Sequence, residues 1–291
     1  MLDQIGAGGM GSVWRARDLR SGRLVAVKVL GHHNGALLAR FVREQAVRVR
    51  HPHVVAPTGW AAEDELVVLV MDLVAGGSVA DLVRRHGPLP AGYAAQLIEQ
   101  LLLGLAAVHG AGLVHRDVKP ANLLLEATGA GAPHLRLGDF GVAAPIADHR
   151  FTTVPGAIGT DGYMAPEQAR GALPDPAQDL YAVGRVALQL VTGLPPGRQG
   201  DIPSHPLRPL LERLLVPDPA ARLGSADAAL RLLRRLDVPR EPGPVVPDRL
   251  GPAPGTRRQL SSRVDWSAWG VVVGLVCVMA GCLWVLLGWA A

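Results

Sequence analysis

Lysine occurs only twice in this 291-residue chain, against 27 arginines, and both lysines lie in short stretches where arginine would be a poor substitute. Lys28 closes Val25-Ala26-Val27-Lys28, 17 residues after Gly11 of a glycine-rich segment; Lys119 lies in His115-Arg116-Asp117-Val118-Lys119-Pro120-Ala121-Asn122. Elsewhere, where a positive charge need only be solvated, the chain uses arginine. The two exceptions therefore mark sites suited to a compact ammonium instead of a broad planar fork. Both stretches are therefore the first candidates for sites that handle an anionic group. Two lysines placed by chance would seldom fall in these two stretches.

Composition narrows the classes. About half of the residues are apolar, enough for a large core, and the length suits one or two domains. The net charge of +4 is modest, and the basic residues are scattered and not interleaved with aromatics, which argues against a nucleic-acid partner. The two cysteines, Cys277 and Cys282, both lie in an apolar C-terminal stretch, so neither a disulfide framework nor a zinc site can be built from them.

That stretch sets the organisation. Residues 269–289 carry no charged and no amide side chain over 21 positions, and a helix rising ~1.5 Å per residue would cover the roughly 30 Å of a bilayer core. Trp266, Trp269 and Trp289 bracket it as interfacial anchors do. A single transmembrane helix over 269–289 is expected. With Arg257, Arg258 and Arg263 before it and only Ala290 and Ala291 after it, the expected topology is a single pass in the cell membrane, N-terminal part cytoplasmic, C-terminus outside. No signal peptide is expected, since Met1-Leu2-Asp3-Gln4 lacks a basic start. Residues 237–268 hold six prolines between Pro239 and Pro254 and read as a Pro/Arg-rich juxtamembrane linker. As a flexible coil it would reach roughly 30 Å, so the preceding domain is expected to work near the membrane without packing on it.

Residues 1–236 then form one domain of mixed texture. Val13 to Val29 and Leu66 to Leu73 have β-favouring patterns, while Leu37 to Val49 has helical spacing. Tyr93 to His109 and Asp179 to Thr192 are long and helical, with short strands expected at Leu123 to Leu125 and Leu135 to Leu137. The fold class is α+β: a small sheet with one helix, followed by a mostly helical lobe.

Gly6-Ala7-Gly8-Gly9-Met10-Gly11 matches G-x-G-x-x-G, a weak signal alone because dinucleotide-binding proteins use the same spacing. Its context separates the two. A helix should follow the glycines in a Rossmann unit, whereas Ser12-Val13-Trp14-Arg15-Ala16 reads as strand and leads to Lys28. Backbone N–H groups of such a hairpin can close over phosphates, Lys28 can hold the α- and β-phosphates, and Glu44, the sole carboxylate between Lys28 and Val54, is the candidate to hold Lys28.

With His115-Arg116-Asp117…Asn122 and then Asp139-Phe140-Gly141 in the right order behind the glycine loop and lysine, the chain resembles the eukaryotic-like (Hanks-type) serine/threonine protein kinases of bacteria. The resemblance implies a bilobal fold with ATP in the cleft and Mg2+ (or Mn2+) as its cation. It further implies that Asp117 accepts the proton of the substrate hydroxyl, that Lys119 touches the transferring phosphoryl group, and that Asn122 and Asp139 hold the metal. Lys119 resembles the serine/threonine-specific branch. Val13, Ala26 and Leu124 match the adenine sandwich, Met71 the residue guarding the back pocket, and Asp72 with Leu73 the hinge; ordinary core packing explains these apolar residues equally well.

The same resemblance matches Ala165-Pro166-Glu167 to the close of the activation segment, Arg222 to its buried partner, Asp179 to the support under the catalytic loop, and Thr160 to the residue facing the substrate pocket. Thr152 and Thr153 are the candidate activating phosphosites, with Arg116 as a cationic partner. Most of a first strand is expected to be missing, since the glycine loop begins at Gly6, and Pro195 to Leu207 is shorter than the family's usual connection. Partners are expected to be protein substrates and membrane lipid. Gly270, Gly274, Gly281 and Gly288 share a helical face with Cys277, which suits a homodimer through the membrane helix as well as it suits a glycine-rich composition. The rival function is an inactive pseudokinase scaffold on the membrane.

Overall fold

A computed structural model describes residues 1–8, 11–30, 49–63, 66–139, 144–146 and 162–254. Glu44, Thr152, Thr153, Thr160 and the 269–289 segment lie outside the described residues. Residues Met1–Ala253 form one compact unit.

The N-terminal part is a five-stranded antiparallel sheet in the order β1-β2-β3-β5-β4: β1 Asp3–Gly8, β2 Gly11–Arg17, β3 Leu24–Leu30, β4 Pro57–Glu63 and β5 Leu66–Asp72. Here β1 is present with six residues, a longer first strand than its sequence suggested. Only glycine fits the β1–β2 turn at Gly11, where φ is 136° and an added Cβ would lie 2.0 Å from the carbonyl oxygen of Val29 on β3. The turn is thus pressed onto the strand that carries Lys28.

Helices dominate the second part: α1 Val79–His86, α2 Ala91–Gly110, α3 Pro166–Ala169, α4 Pro176–Thr192, α5 Arg208–Leu214 and α6 Ala226–Arg235. Helix α1 starts with a reciprocal capping box, Ser78 accepting from the Asp81 N–H while Asp81 accepts from the Ser78 N–H. Helix α2 is apolar nearly all round because it is the core: Leu97, Ile98, Leu101, Leu102 and Leu105 are fully buried. It has the length and hydropathy to cross a bilayer, but its burial explains both. Four short strands form two hairpin-like pairs, β6 Leu113–Val114 with β9 Ala144–Pro145, and β7 Leu123–Leu125 with β8 Leu135–Leu137. Between α4 and α5 stands a single 3-10 turn, Pro196–Arg198.

The proline-rich segment after α6 departs from its sequence reading. It is free of helix as expected, yet residues 239–252 lie against the domain, with Val246 buried and bonded in both directions to Gly129 at 2.9 Å. Proline fixes an extended path at little entropic cost, and glycines at the contact points let the two backbones meet.

Candidate active site

Most of the site is built from the β7–β8 hairpin and the loop that precedes it. Leu123 pairs with Leu137, which sets Asn122 opposite Gly138, and the Gly138 N–H donates to the Asn122 carbonyl at 2.9 Å. The hairpin register therefore brings Asn122 beside the start of Asp139-Phe140-Gly141, although the two lie 17 positions apart. Leu124, part-exposed between the fully buried Leu123 and Leu125, is the hairpin residue left facing out of the core.

Around Asp117 the polar contacts are dense. Its Oδ2 lies 2.8 Å from Nζ of Lys119 and accepts from Nδ2 of Asn122 at 2.9 Å, and its backbone carbonyl accepts from the same Nδ2 at 2.8 Å. With its amide nitrogen committed to Asp117, Asn122 has its oxygen as the end that can ligate a cation. His115, fully buried, spans the site: Nε2 contacts the Gly138 carbonyl at 3.1 Å and Nδ1 accepts from the Asp117 N–H at 3.3 Å, a pair of contacts that fits the tautomer with hydrogen on Nε2.

The opposite side of the site comes from the sheet. Lys28 Nζ meets Asp139 Oδ1 at 2.5 Å, joining β3 to the residue after β8 across 111 positions. Register puts Val13 opposite Lys28 and Ala26 opposite Met71, so Val13, Ala26, Lys28 and Met71 share the face of the sheet from which Lys28 reaches Asp139. Gly6, Gly8 and Gly11 flank the β1–β2 turn above them. Leu73 follows β5 in the connection to α1, and Arg136 on β8 ties that connection down by donating to Asp72 at 2.8 Å. The structure thus brings Lys28 to Asp139, and gathers Asp117, Lys119 and Asn122.

Beneath the loop sits Asp179 on α4, almost fully buried. It accepts from the backbone N–H of His115 at 2.8 Å and of Arg116 at 2.8 Å, and from His109 Nε2 at 2.8 Å. Burial opposes its ionisation, but the hydrogen bond and charge of His109, with help from His115, win and hold the carboxyl below its ordinary value. These bonds secure a strained backbone. Arg116 has φ 67° and Asp139 φ 63°, left-handed values that non-glycine residues seldom adopt. Burial lowers the pKa of Arg116, against the attraction of Asp179.

Two anchors were not foreseen from the sequence. Gln168, just after Glu167, donates to the Arg116 carbonyl at 2.9 Å, and His109, six residues before His115, serves Asp179. The expected partner pair of Arg222 and Glu167 is present and buried, at 2.7 and 3.1 Å in a two-pronged contact.

A divided sheet-and-helix scaffold with two ammonium groups, Lys28 and Lys119, and three oxygen-bearing side chains, Asp117, Asn122 and Asp139, defines a phosphotransfer-type fold. Residues 1–231 match the protein kinase domain family, and the chain belongs to that family. It is 38% identical over 241 residues to the serine/threonine-protein kinase PkaA of Streptomyces coelicolor, covering 75% of this chain and 44% of that protein. It is 35% identical over 270 residues to pkn3 of Myxococcus xanthus, covering 81% and 49%, and 35% identical over 284 residues to PknA of Mycobacterium tuberculosis, covering 86% and 64%. The chain thus spans about half the length of the curated relatives it matches. Its kinase domain is of the bacterial Hanks type, and that family uses ATP with a divalent cation.

Proposed function

We propose that this chain is a membrane-anchored serine/threonine protein kinase that transfers the γ-phosphoryl group of ATP to hydroxyls of proteins, its own Thr152 or Thr153 included. One observation carries the reading: Lys28 and Asp139 meet at 2.5 Å on the sheet side while Asp117, Lys119 and Asn122 form one cluster on the helical side. A triphosphate between them finds a point cation on one side and a carboxylate for the incoming alcohol on the other.

Asp117 orients the hydroxyl and takes its proton as the oxygen attacks the γ-phosphorus; the bond to the β–γ bridging oxygen breaks, and ADP leaves with that oxygen. Lys119, held beside Asp117, offers positive charge where the transferring group passes, and Lys28 holds the phosphates that stay behind. Glu44 is the proposed carboxylate that keeps Lys28 placed. The oxygens of Asn122 and Asp139 form a hard donor pair that fits Mg2+ together with phosphate oxygens, and the bound ion would supply neutralising charge. The apolar run of 269–289 is the proposed anchor, with the kinase domain on the cytoplasmic side.

One preparation tests both parts. The full chain should sediment with membranes, and the extracted protein, given labelled ATP and Mg2+, should label itself and a generic protein substrate. Lys28→Ala and Asp117→Asn should each lose at least a hundredfold in rate, and for Asp117 that corresponds to about 2.7 kcal/mol or more of barrier. Nucleotide binding with no transfer by the unaltered chain would refute the enzyme in favour of a scaffold. A chain recovered in the soluble fraction would refute the anchor.

A further inference from the structure

The segment that follows α6 runs from the helical part of the domain to the sheet. Asp237, at φ 45°, turns the chain out of α6. Helix α2 has no side-chain cap of its own, and Glu241 supplies one, its Oε2 accepting from the Gly92 N–H at 2.7 Å. The approach is so close that a Cβ on Gly92 would lie 1.9 Å from the Pro239 carbonyl oxygen. Further on, Val246 is buried against Gly129, and the Arg249 N–H donates to the carbonyl of Ala75, in the connection between β5 and α1, at 2.9 Å. Asp248 then accepts from the N–H groups of Leu250 and Gly251, turning the chain toward the sheet.

There Arg15 receives it. This buried guanidinium is held on one side by Asp3 of β1, at 2.7 and 2.9 Å, and on the other donates to the carbonyls of Leu250 at 3.2 Å and Gly251 at 2.9 Å. Alternation along β2 puts Arg15 on the same face as Val13, and its register partner is Ala26, two residues from Lys28 on β3. Arg15 is therefore on the cleft face of the sheet, at the end nearest the connection to α1.

We propose that residues 239–252 are a strap joining the two parts of the domain, and that Arg15, by gripping its end, is a positioning residue that holds the outer edge of the nucleotide cleft. The proposal rests on the kinase reading for the identity of the ligand. Between β5 and α1 the chain makes its covalent crossing, and on the β4 side residues 53–55 are bonded to β8, with the Val55 N–H donating to the Leu137 carbonyl at 2.8 Å; the strap adds a tie at the opposite, β1–β2 edge, bonded on the helical side through Glu241 and Val246 and on the sheet side through Arg15. Opening the cleft has to break the Arg15 contacts or drag the strap from its seat. Cleft closure and strap docking are thus linked, and each must favour the other by the same factor.

The test uses the full chain, with ADP and Mg2+ as probe and ATP as substrate. Val246→Asp, which unseats the strap without touching the cleft, should weaken ADP binding at least fivefold and raise KM for ATP to match, with kcat within twofold of the unaltered chain. Arg15→Gln should weaken ADP binding by a similar factor. In the unmutated chain, ADP should slow tryptic cleavage after Arg249 at least fivefold. Folded variants with ADP affinity within twofold of the parent, or cleavage after Arg249 that ignores ADP, overturn the strap. If both variants fail to fold, the proteolysis decides. A parent chain that binds no ADP sinks the kinase reading and the strap with it, whereas one that binds ADP without transferring phosphate fails only as a kinase and leaves the strap to be judged on affinity.

Discussion

Asp179→Asn should damage stability and turnover by separable routes. The carboxylate accepts three N–H groups at 2.8 Å each, with His115 and His109 on Oδ2 and Arg116 on Oδ1. Asparagine offers one oxygen, so whichever way the amide turns, at least one donor faces an NH2 group. Each hydrogen bond to a charged group contributes ~1.5–3 kcal/mol, and a buried donor left without an acceptor costs a similar amount, so a loss of about 2–4 kcal/mol is expected at pH 7. The left-handed Arg116, whose conformation costs ~1–3 kcal/mol, would then be free to relax and carry Asp117 with it. The rate of transfer should fall at least tenfold, with ADP affinity within about threefold, since Lys28 and Asp139 are untouched. The pH dependence has a definite sign. Because the folded pKa of Asp179 lies below the unfolded value, its stabilisation is fully present above the ordinary carboxyl pKa of ~3.9 and is lost as pH falls through the folded value. Urea unfolding of the two proteins should give a difference that is present at pH 7 and is lost in strong acid, as pH falls through the folded value. A loss under 1 kcal/mol at pH 7, or ADP affinity falling as far as the rate, would refute this account.

Two further outcomes test the packing around the site. Glu167→Gln should cost ~3–5 kcal/mol in urea unfolding, because the fully buried Arg222 guanidinium would keep its carbonyl partners on Ala177, Val216 and Pro217 but lose its only carboxylate among the described residues; a cost below 1 kcal/mol would count against it. Tyr93→Phe should be neutral or raise stability by about 1 kcal/mol, since the Tyr93 hydroxyl is buried with no partner among the described residues and burial alone pushes its pKa up to about 12. A lower melting temperature for the Phe variant would mean the hydroxyl is bonded after all.

The sequence revealed what is written in short, contiguous chemistry. The β7 and β8 strands fall on the expected residues, because two short apolar runs, Leu123 to Leu125 and Leu135 to Leu137, joined by a Gly/Ala/Pro loop leave few other readings. The helices over Tyr93 to His109 and Asp179 to Thr192 were legible from apolar spacing, to within a few residues at their starts. Contacts made at a distance were less accessible. His109 looks like an ordinary last-turn residue of α2, and its task is set by an aspartate 70 positions away. Arg15 looks like a solvated charge on a strand, and its burial comes from carbonyls more than 230 positions on. Prolines at 239–252 correctly excluded a helix, but proline content reports stiffness and not adhesion. The clues to docking lay in Gly92 and Val246, which mean nothing until the strap is laid over them.

The two sides of the site are held by different physics, and this suits a transfer reaction. On the helical side, Arg116 and Asp139 sit in strained backbone geometry, and Arg116 is kept there by the buried Asp179 and by Gln168, so the groups that meet the alcohol are fixed before it arrives. On the sheet side, the turn between β1 and β2 is glycine-rich and pressed onto β3 at Gly11, and among the described residues Lys28 meets the helical side through its ion pair with Asp139. A rigid floor can orient a nucleophile, whereas a roof edged by a glycine-rich turn can admit ATP and release ADP. The strap matters because it acts on the roof: at the Arg15 edge it adds hydrogen bonds where the sheet is otherwise least secured, and so sets how far the cleft opens without altering the groups that do the chemistry.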